Sequence, residues 1–394
     1  MRLLLVSSEF PPGPGGIGRH AHDLARALES RGWEIEAHVW QDYASDPEIE
    51  AFDAGRPFPV FRLPERPLST WTGLESLRRI SRAIGRRRPD ALLATGRRAV
   101  WLAARAAARA DLPWMAIGHG TEFSLGSVAA RAVSRRAYGS ADIVVCVSRY
   151  TRRVMEESGI RPPAVATIPN GADPELFRPV PAAEAEGVRR RLGLEGTRVL
   201  LTVGRVGPRK GQDIVIRALP AIARAAPEVV YVLTGIPDGR PELERLAGDL
   251  GVADRVRFLG TVADETLVAL ENAAQLFVMT SRRTAEGDFE GYGIAVVEAA
   301  LCGLPAVVAG ESGLAEAVED GVTGLVVPPE DPAATAAAVI GLLRDEGARR
   351  AMGERARERA TREQTWAHRA EAYDAELRRI VRGGASSQRP RSRS

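Results

Sequence analysis

The sequence predicts an α/β fold of two doubly wound, Rossmann-like domains in series, facing each other across a cleft. The first observation is length, because 394 residues exceed one ordinary hydrophobic core. The second is that short apolar strands alternate with helical patterns in both halves, as in parallel sheets covered on both faces. The third is a segment rich in Pro, Gly and Asp over residues 168–181, which separates the two halves.

The first half begins with an apolar strand, a loop rich in Pro and Gly, and a helix. That helix ends near Ser30, with Leu24 and Leu28 on one face and Gly32 just past its end. The predicted strands of this half cover residues 2–8, 33–39, 91–94, 114–118 and 143–147. We assign residues 1–175 to an N-terminal domain.

The second half resumes the alternation after the linker. Its predicted strands cover residues 199–203, 229–235, 256–260, 276–280, 305–310 and 324–328. We assign residues 182–365 to a C-terminal domain. An amphipathic helix over residues 366–382 is expected to cross back to the N-terminal domain, and residues 383–394 are expected to form a disordered tail.

Composition is globular, with 45% hydrophobic and 27% charged residues, and it argues against several classes of function. No apolar run is long enough to span a bilayer, and the N-terminus lacks the cleavage site of a signal peptide. The net charge of +3 is small and no nucleic-acid module is recognisable, so we expect no nucleic-acid partner. Cys146 and Cys302 predict buried free thiols in a cytoplasmic protein.

Lysine usage draws attention to one loop. Of the 54 basic residues, all but Lys210 are arginines, which indicates a place where a compact ammonium is needed. Lys210 lies in GRVGPRKG at residues 204–211, which follows a strand and opens a helix. The cations Arg205 and Lys210 suit a diphosphate, with a solvated basic turn as the alternative. The loop lacks the GK[ST] ending of a P-loop, which disfavours ATP hydrolysis.

The loop after the first strand leaves two interpretations open. Gly13, Gly15 and Gly18 match the G-x-G-x-x-G of dinucleotide-binding proteins, and Asp42 follows the second strand, where a ribose-binding acid would lie. This pattern keeps a nicotinamide-dependent oxidoreductase as an alternative, although three prolines crowd the loop. A glycine-rich turn also presents backbone N–H groups to a phosphate at a helix N-terminus.

A third loop, DFEGYGIAVVE at residues 288–298, carries two glutamates. Glu290 ends the loop, and Glu298 lies just over one turn into the following helix. Gly291 and Gly293 permit a close approach of backbone to ligand. A carboxylate accepts two hydrogen bonds from a vicinal diol, so one glutamate suits a ribose and the other a hexose. Helix N-terminal charge for Glu290 and a solvent face for Glu298 are the alternatives.

Two more features are chemically open. His119, in GHGTEF after an apolar strand, suits either catalysis or a packed or capping role. Apolar side chains fall on one helical face ringed by arginines at residues 74–88, which favours a core-facing helix, with contact to an anionic membrane as the alternative. No metal-binding D-x-D motif and no His/Cys cluster with ligand spacing occurs, so we expect neither a metal nor a cofactor.

Together, GGIGRH, GRVGPRKG and EGYGIAVVE, with seven residues between its two glutamates, resemble glycosyltransferase family 4. IPNGAD at the linker and VSRYT at residues 147–151 also resemble that family, and the resemblance covers nearly the whole chain. The family has the GT-B fold and retains anomeric configuration. The run RRTAEGDFEGYGI is similar to bacterial phosphatidylinositol mannosyltransferases, which suggests GDP-mannose.

The resemblance implies a role for each matching residue. Arg205 and Lys210 would hold the diphosphate, and Glu298 the ribose hydroxyls. Glu290 would contact the transferring hexose, and His119 would lie beside the reacting sugar. The implied donor-binding set also includes Gly16, Gly291, Tyr292, Gly293 and Ile294.

The implied activity is a metal-independent, retaining hexosyltransferase of a cell-envelope glycan. It would transfer mannose from GDP-mannose, with a UDP-sugar as the next choice, to a lipid-linked or glycan acceptor held by the N-terminal domain. We expect a cytoplasmic enzyme, with peripheral contact at the inner membrane face as an option. A nicotinamide oxidoreductase and a non-catalytic pseudo-glycosyltransferase remain the alternatives.

Overall fold

The computed structural model describes residues 1–40, 44–64, 70–124 and 127–386, without the side chains of residues 70 and 384–386. The chain forms two compact units. The first contains Met1–Asn170 and the chain from Trp366 onward, and the second contains Gly171–Thr365. The chain therefore leaves the first unit after Asn170 and re-enters it at Trp366.

The sheet of the first unit has seven strands among the described residues, in the order β3-β2-β1-β4-β5-β6-β7. Every neighbouring pair is parallel. The strands are β1 (Arg2–Ser7), β2 (Glu34–Val39), β3 (Val60–Arg62), β4 (Ala91–Thr95), β5 (Trp114–Gly118), β6 (Ile143–Cys146) and β7 (Val165–Thr167). The order reverses between β1 and β4, which is the point where doubly wound sheets bind their ligands.

The sequence predicts five of these seven strands and misses β3 and β7. Both have three residues and lie at the two edges of the sheet, where most of their residues are only partly buried. Such a strand shows neither sustained alternation nor an apolar run, so its sequence does not distinguish it from a loop.

The helices of the first unit flank this sheet in the chain. They are α1 (Gly16–Glu29), α2 (Asp46–Ala54), α3 (Thr70–Arg87), α4 (Arg97–Ala110), α5 (Val128–Gly139) and α6 (Arg149–Glu157). In α1, Leu24 and Leu28 are buried one turn apart, as the helical spacing predicts.

The sheet of the second unit has six parallel strands in the described chain, in the order β10-β9-β8-β11-β12-β13. These are β8 (Arg198–Val203), β9 (Val229–Thr234), β10 (Val256–Gly260), β11 (Leu276–Met279), β12 (Ala306–Ala309) and β13 (Gly324–Val327). All six are predicted from the sequence, because most of their residues are apolar and, except in β10, at least half of the residues of each strand are buried. Here the order reverses between β8 and β11.

Seven α-helices belong to the described part of the second unit. They are α7 (Ala182–Leu192), α8 (Gln212–Ala225), α9 (Arg240–Asp249), α10 (Asp264–Ala273), α11 (Ile294–Leu301), α12 (Pro332–Arg344) and α13 (Glu346–Glu363). With the first unit, they give two doubly wound α/β domains, which confirms the predicted fold class. None of the described helices is both long and apolar enough to cross a bilayer.

The last helix, α14 (Trp366–Ser386), belongs to the first unit and packs against α1. It extends past the predicted end at residue 382, and residues 387–394 of the expected tail lie outside the described residues. Asp374 attaches this helix to the body of the unit. Its carboxylate accepts hydrogen bonds from Trp33 Nε1 at 2.7 Å, Arg31 Nε at 3.3 Å and Arg378 Nε at 2.6 Å.

Asp374→Asn should destabilise the protein by about 1–2 kcal/mol at pH 7, because hydrogen bonds to a charged group are stronger than those to a neutral one. Burial opposes ionisation, but the hydrogen bonds from Trp33 and Arg378 lower the pKa of Asp374 below its usual value. A lowered folded-state pKa adds stability above the unfolded-state pKa, and this is lost as pH falls through the folded value. The difference between wild type and variant should therefore be full at pH 7 and disappear in acid.

Urea unfolding from pH 7 down to pH 3 measures this difference. The matched control is Glu376→Gln on the same helix, whose ion pair with Arg379 is largely exposed and should contribute under about 1 kcal/mol. Equal effects of the two substitutions at pH 7 would contradict the anchoring role of Asp374.

Candidate functional site

The candidate site of the second unit lies where its strand order reverses. β8 is followed by residues 204–211, and β11 is followed by residues 280–293. Because β8 and β11 are parallel neighbours, both loops leave the carboxyl edge of the sheet side by side. The two loops that the sequence predicts to bind the donor are therefore adjacent.

The backbones of these loops touch at Gly211. This residue has a φ of +67°, and a Cβ there would lie 1.9 Å from the carbonyl oxygen of Thr280. The Thr280 hydroxyl donates to the Gly211 carbonyl at 2.6 Å, and the Arg282 N–H donates to the Arg209 carbonyl at 3.0 Å. Only glycine fits at such a contact, so the glycine that ends the loop GRVGPRKG allows the two loops to meet at this distance.

One carboxylate oxygen joins the two loops through side chains. Glu290 Oε2 accepts from Lys210 Nζ at 2.6 Å and from Arg209 at 2.5 Å. Arg209 also lies 3.3 Å from Asp288 Oδ2. The side chains of Lys210 and Glu290 are each only 12% exposed. The result is a half-enclosed cluster with two cations directed at one acceptor.

The protonation states in this cluster depend on each other. Burial favours neutral Glu290, but the charges of Lys210 and Arg209 outweigh it and lower the pKa of Glu290 to about 2. Burial lowers the pKa of Lys210, and the Glu290 carboxylate opposes that shift. Burial raises the pKa of Asp288. Glu290 is therefore ionised at neutral pH. It is paired with the same cations that would bind a phosphate.

Arg205, the other predicted diphosphate ligand, is placed differently from Lys210. Its guanidinium pairs with Asp238 at the surface, and its side chain is 43% exposed. Arg209, which the motifs do not single out, is the arginine that shares Glu290 with Lys210. Arg209 directly precedes Lys210 in the same loop but is not among the predicted ligands, because a basic residue in a turn is usually a solvated one.

The remaining predicted donor-binding residues surround the start of α11. Gly291 and Tyr292 are buried, and the Tyr292 hydroxyl accepts a hydrogen bond from Gln364 at 3.2 Å. Gly293 has a φ of +88°, and Ile294 is the first residue of the helix. The side chain of Tyr292 thus anchors the loop to the interior of the unit.

Glu298, in the middle of α11, is 5% exposed. It lies among buried apolar neighbours of the same helix, which excludes the solvent-face alternative. A buried carboxylate on the first turns of this helix is unusual and points to a specific task. The first turn of α11 carries no acidic side chain, so its positive end stays available to an anion.

The predicted residues of the first unit lie at the carboxyl edge of its own sheet. Gly16 is the exposed first residue of α1, directly after the glycine-rich loop that follows β1. His119 follows β5, and its Nε2 lies 2.7 Å from the Thr95 hydroxyl at the end of β4. Asp42 of the oxidoreductase alternative lies outside the described residues.

A buried carboxylate that the sequence analysis missed fixes the backbone at His119. Glu122 accepts the N–H of His119 at 2.7 Å and the N–H of Gly120 at 3.0 Å, and the Tyr138 hydroxyl donates to it at 3.2 Å. Burial raises the pKa of Glu122 and lowers the pKa of His119 to about 4. His119 is therefore a neutral imidazole at pH 7, suited to hydrogen bonding with a hydroxyl and unsuited to neutralising a phosphate.

No group of three or more His, Cys, Asp or Glu side chains within the described ranges is arranged to hold a metal ion. Both cysteines are free and buried, as the sequence predicts.

Two doubly wound domains, with cations at the switch point of the second, fit the class of nucleotide-sugar glycosyltransferases. Residues 185–359 match the family described as glycosyl transferases group 1, and residues 14–176 match glycosyltransferase family 4. The chain belongs to this family of glycosyltransferases, which confirms the resemblance drawn from the motifs and the expectation of a hexosyltransferase enzyme.

Relatives with named activities align along nearly the whole chain. A GDP-mannose-dependent alpha-(1-6)-phosphatidylinositol monomannoside mannosyltransferase of Mycolicibacterium smegmatis is 34% identical, over 89% of this chain and 91% of the relative. A GDP-mannose-dependent monoacylated alpha-(1-6)-phosphatidylinositol monomannoside mannosyltransferase of Corynebacterium glutamicum is 30% identical, over 93% and 94%.

Solved structures share the fold. HepE of Anabaena, in complex with UDP and glucose, gives a TM-score of 0.81 at 24% identity and covers 96% of this chain and 100% of its own. Sucrose-phosphate synthase of Thermosynechococcus elongatus gives 0.80 at 23% identity, covering 98% and 100%. At these identities the likeness is one of architecture.

Gly211→Ala should destabilise the protein by at least about 1 kcal/mol, because an L-residue is strained at this φ, and the new methyl group would also strike the Thr280 carbonyl. Gly207→Ala is the matched control in the same loop, since its backbone is extended and a Cβ there meets no atom within 4 Å. Chemical denaturation of both variants tests the contact. Equal stabilities would show that the loops are not held together at Gly211.

Proposed function

We propose that this chain is a retaining, metal-independent hexosyltransferase that transfers mannose from GDP-mannose to a lipid-linked acceptor. The observation that carries the proposal is the cluster of Lys210, Arg209 and Glu290 at the switch point of the second unit. The names of the curated relatives support mannose and GDP as the sugar and the nucleotide, and a phosphatidylinositol glycan as the chemistry of the acceptor.

The donor diphosphate is assigned to Lys210, with Arg209 and Arg205 as further cations. In the free protein the two cations of the cluster meet at Glu290 Oε2. Phosphate oxygens of a donor present the same kind of acceptor, so Lys210 can change partners without losing its charge-assisted hydrogen bond. Within the second unit, the positive end of α11 supplies a further electropositive group. The backbone at Gly16, at the N-terminus of α1, is a further candidate for contact with a phosphate.

Each carboxylate then has a separate task. Once Lys210 turns to the diphosphate, Glu290 is free to accept hydrogen bonds from hydroxyls of the mannose ring. Glu298 on α11 accepts from the two ribose hydroxyls, and the backbone at Gly291, Gly293 and Ile294 lies alongside the donor. Both carboxylates are acceptor-only groups when ionised, as a diol requires.

The bond that breaks joins the anomeric carbon to the diphosphate. Negative charge grows on the leaving phosphate as this bond lengthens, and Lys210 stabilises that charge more in the transition state than in the ground state. The acceptor oxygen forms its bond to the anomeric carbon on the face that the phosphate leaves, and the leaving phosphate takes the proton of that hydroxyl. Attack on this face retains the configuration. Neutral His119 donates or accepts a hydrogen bond at the reacting sugar and carries no charge to the phosphate.

Lys210→Ala should lower the rate of mannose transfer by about a hundred- to a thousandfold, because one charged donor to a developing anion contributes about 3–4 kcal/mol. Lys210→Arg should be intermediate, since a guanidinium keeps the charge but spreads it over a larger plane. The measurement is the initial transfer rate at saturating acceptor, with GDP-mannose and a UDP-sugar as competing donors, and with circular dichroism to check the fold.

Arg240→Ala, which removes an exposed cation of the same unit, is the control and should keep the full rate. If Lys210→Ala keeps more than about a tenth of the wild-type rate, the assignment of the diphosphate to Lys210 is wrong. If NAD raises the thermal unfolding temperature of the wild-type protein and GDP does not, the oxidoreductase alternative replaces this proposal.

We also propose that one end of α3 contacts the anionic membrane that carries a lipid-linked acceptor. Leu77, Ile80 and Ile84 of the predicted apolar face are buried, so most of that face packs inside the unit. Trp71 and Leu74 differ, since they are 78% and 39% exposed. A large exposed aromatic residue beside an exposed leucine is typical of an interfacial anchor.

The charges beside these two residues fit an anionic surface. A groove of about 380 Å³ is lined by Leu74, Leu77, Arg78, Ser81, Arg82 and Arg109. Its three arginines have no ion pair within the described chain, whereas Arg79 of the same helix pairs with Glu75. Arginines without an ion pair among the described residues, together with exposed apolar groups, provide the electrostatic attraction and the apolar burial of interfacial binding.

Trp71→Ala combined with Arg78→Glu and Arg82→Glu should abolish co-sedimentation with phosphatidylglycerol vesicles at low salt. Wild type should bind these vesicles and not vesicles of phosphatidylcholine. The control carries the same charge reversals at Arg350 and Arg362, two exposed positions on α13. No binding by wild type, or equal loss in the control, would rule the surface out.

A further inference from the structure

His20 of α1 is a buried titratable side chain for which neither the sequence motifs nor the proposed reaction gives a role. Its residue is completely inaccessible to solvent. Burial, followed by the nearby His119, lowers the pKa of His20 well below its usual value, so the ring is neutral. A neutral imidazole presents one donor and one acceptor, and its orientation is set by whichever partner it finds.

Asn170 sets that orientation. His20 Nδ1 lies 2.9 Å from the Asn170 side-chain oxygen. An amide oxygen only accepts, so Nδ1 carries the proton and Nε2 is bare. His20 Nε2 has no hydrogen-bond partner in the part of the chain that the structure describes. The Asn170 contact therefore fixes both the tautomer and the rotation of the ring.

The His20 ring packs directly against the ring of His119. Their ring centroids are 4.8 Å apart and their planes cross at 87°, an edge-to-face contact. On its other sides His20 contacts Trp366 at 5.0 Å and Tyr373 at 6.0 Å between centroids. His119 is thus held by a hydroxyl at Nε2, by Glu122 at its backbone and by His20 at its ring.

Two of the residues that contact His20 flank the chain segment that forms the second unit. Asn170 is the last residue of the first unit before the chain leaves it, and Trp366 is the first residue on its return. Both contact one imidazole, which in turn contacts His119. The orientation of the His20 ring therefore depends on the positions of Asn170 and Trp366, where the chain leaves and re-enters the first unit.

We propose that His20 is a positioning residue: locked by Asn170, it holds the imidazole of His119 in the orientation that meets the donor sugar. This inference rests on the proposed transfer reaction, in which His119 lies beside the reacting sugar. His20 itself touches no reacting atom and acts through His119.

His20→Phe keeps an aromatic ring and removes the hydrogen bond, and Asn170→Ala removes the same bond from the other side. Each should lower kcat by up to about a hundredfold, because a small displacement of a reacting group has effects of this size. The Kd for GDP should stay unchanged, since the diphosphate cluster lies in the second unit. In a His119→Ala background, His20→Phe should have no further effect.

The matched control is His22→Phe, two residues along the same helix, where the imidazole contacts Asp23 and Arg56 and not His119. It should keep the wild-type kcat. If His20→Phe lowers kcat by the same factor in wild type and in the His119→Ala background, His20 does not act through His119. The same follows if His20→Phe and Asn170→Ala each lower kcat by less than about twofold.

Imidazole ¹⁵N spectra provide a readout that needs no transfer activity, and the chain has only 5 histidines to assign. Asn170→Ala and His20→Phe should each shift the ring signals of His119, and His22→Phe should leave them in place. Unshifted His119 signals in both variants would overturn the positioning role. If these signals respond but wild type transfers sugar from no nucleotide donor, the proposed function fails while the contact stands.

Discussion

The close approach of Gly211 to the carbonyl of Thr280 is the constraint on which the candidate site depends. It sets the loops after β8 and β11 at backbone contact, at the point where the strand order of the sheet reverses. Lys210 and Glu290 stand on these two loops, and their ion pair forms only at this spacing. A largely buried pair contributes little net stability, because desolvation offsets attraction. Its value is geometric, since it keeps a charged ammonium in place where a donor diphosphate is expected.

A buried carboxylate organises each unit at the carboxyl edge of its sheet. In the second unit Glu290 gathers two cations, and in the first unit Glu122 gathers the backbone N–H groups around His119. The two carboxylates serve different chemistry. Cations balance the first, which leaves a charged site, whereas backbone N–H groups and the Tyr138 hydroxyl satisfy the second. His119 beside it is neutral because burial lowers its pKa. The proposed donor needs both environments: cations for the charge of its diphosphate, and a neutral hydrogen-bonding group for the hydroxyls of its sugar.

Much of this arrangement could be predicted from the sequence, because parallel strands are apolar runs and phosphate-binding loops are rich in glycine. All six strands of the second unit follow from such patterns, as does the choice of Lys210 and Glu290 as candidate residues. The ion pair between them does not. Edge strands β3 and β7 could not be predicted, because three partly exposed residues are too few to show an alternation of apolar and polar side chains. Arg209 was missed because sequence does not say which of two neighbouring arginines turns inward. Glu122 and the partner of His20 were missed since both depend on contacts between residues whose side-chain directions only the fold determines.

The most direct test of the account compares GDP with GMP by isothermal titration, in wild type and in Lys210→Ala. The account assigns Lys210 to the diphosphate, so wild type should bind GDP more tightly than GMP by at least about tenfold, a difference of about 1.4 kcal/mol for one charged contact. That preference should largely disappear in the variant, while affinity for GMP stays near the wild-type value. An unchanged preference for GDP in Lys210→Ala would show that the diphosphate binds elsewhere and would contradict the central claim.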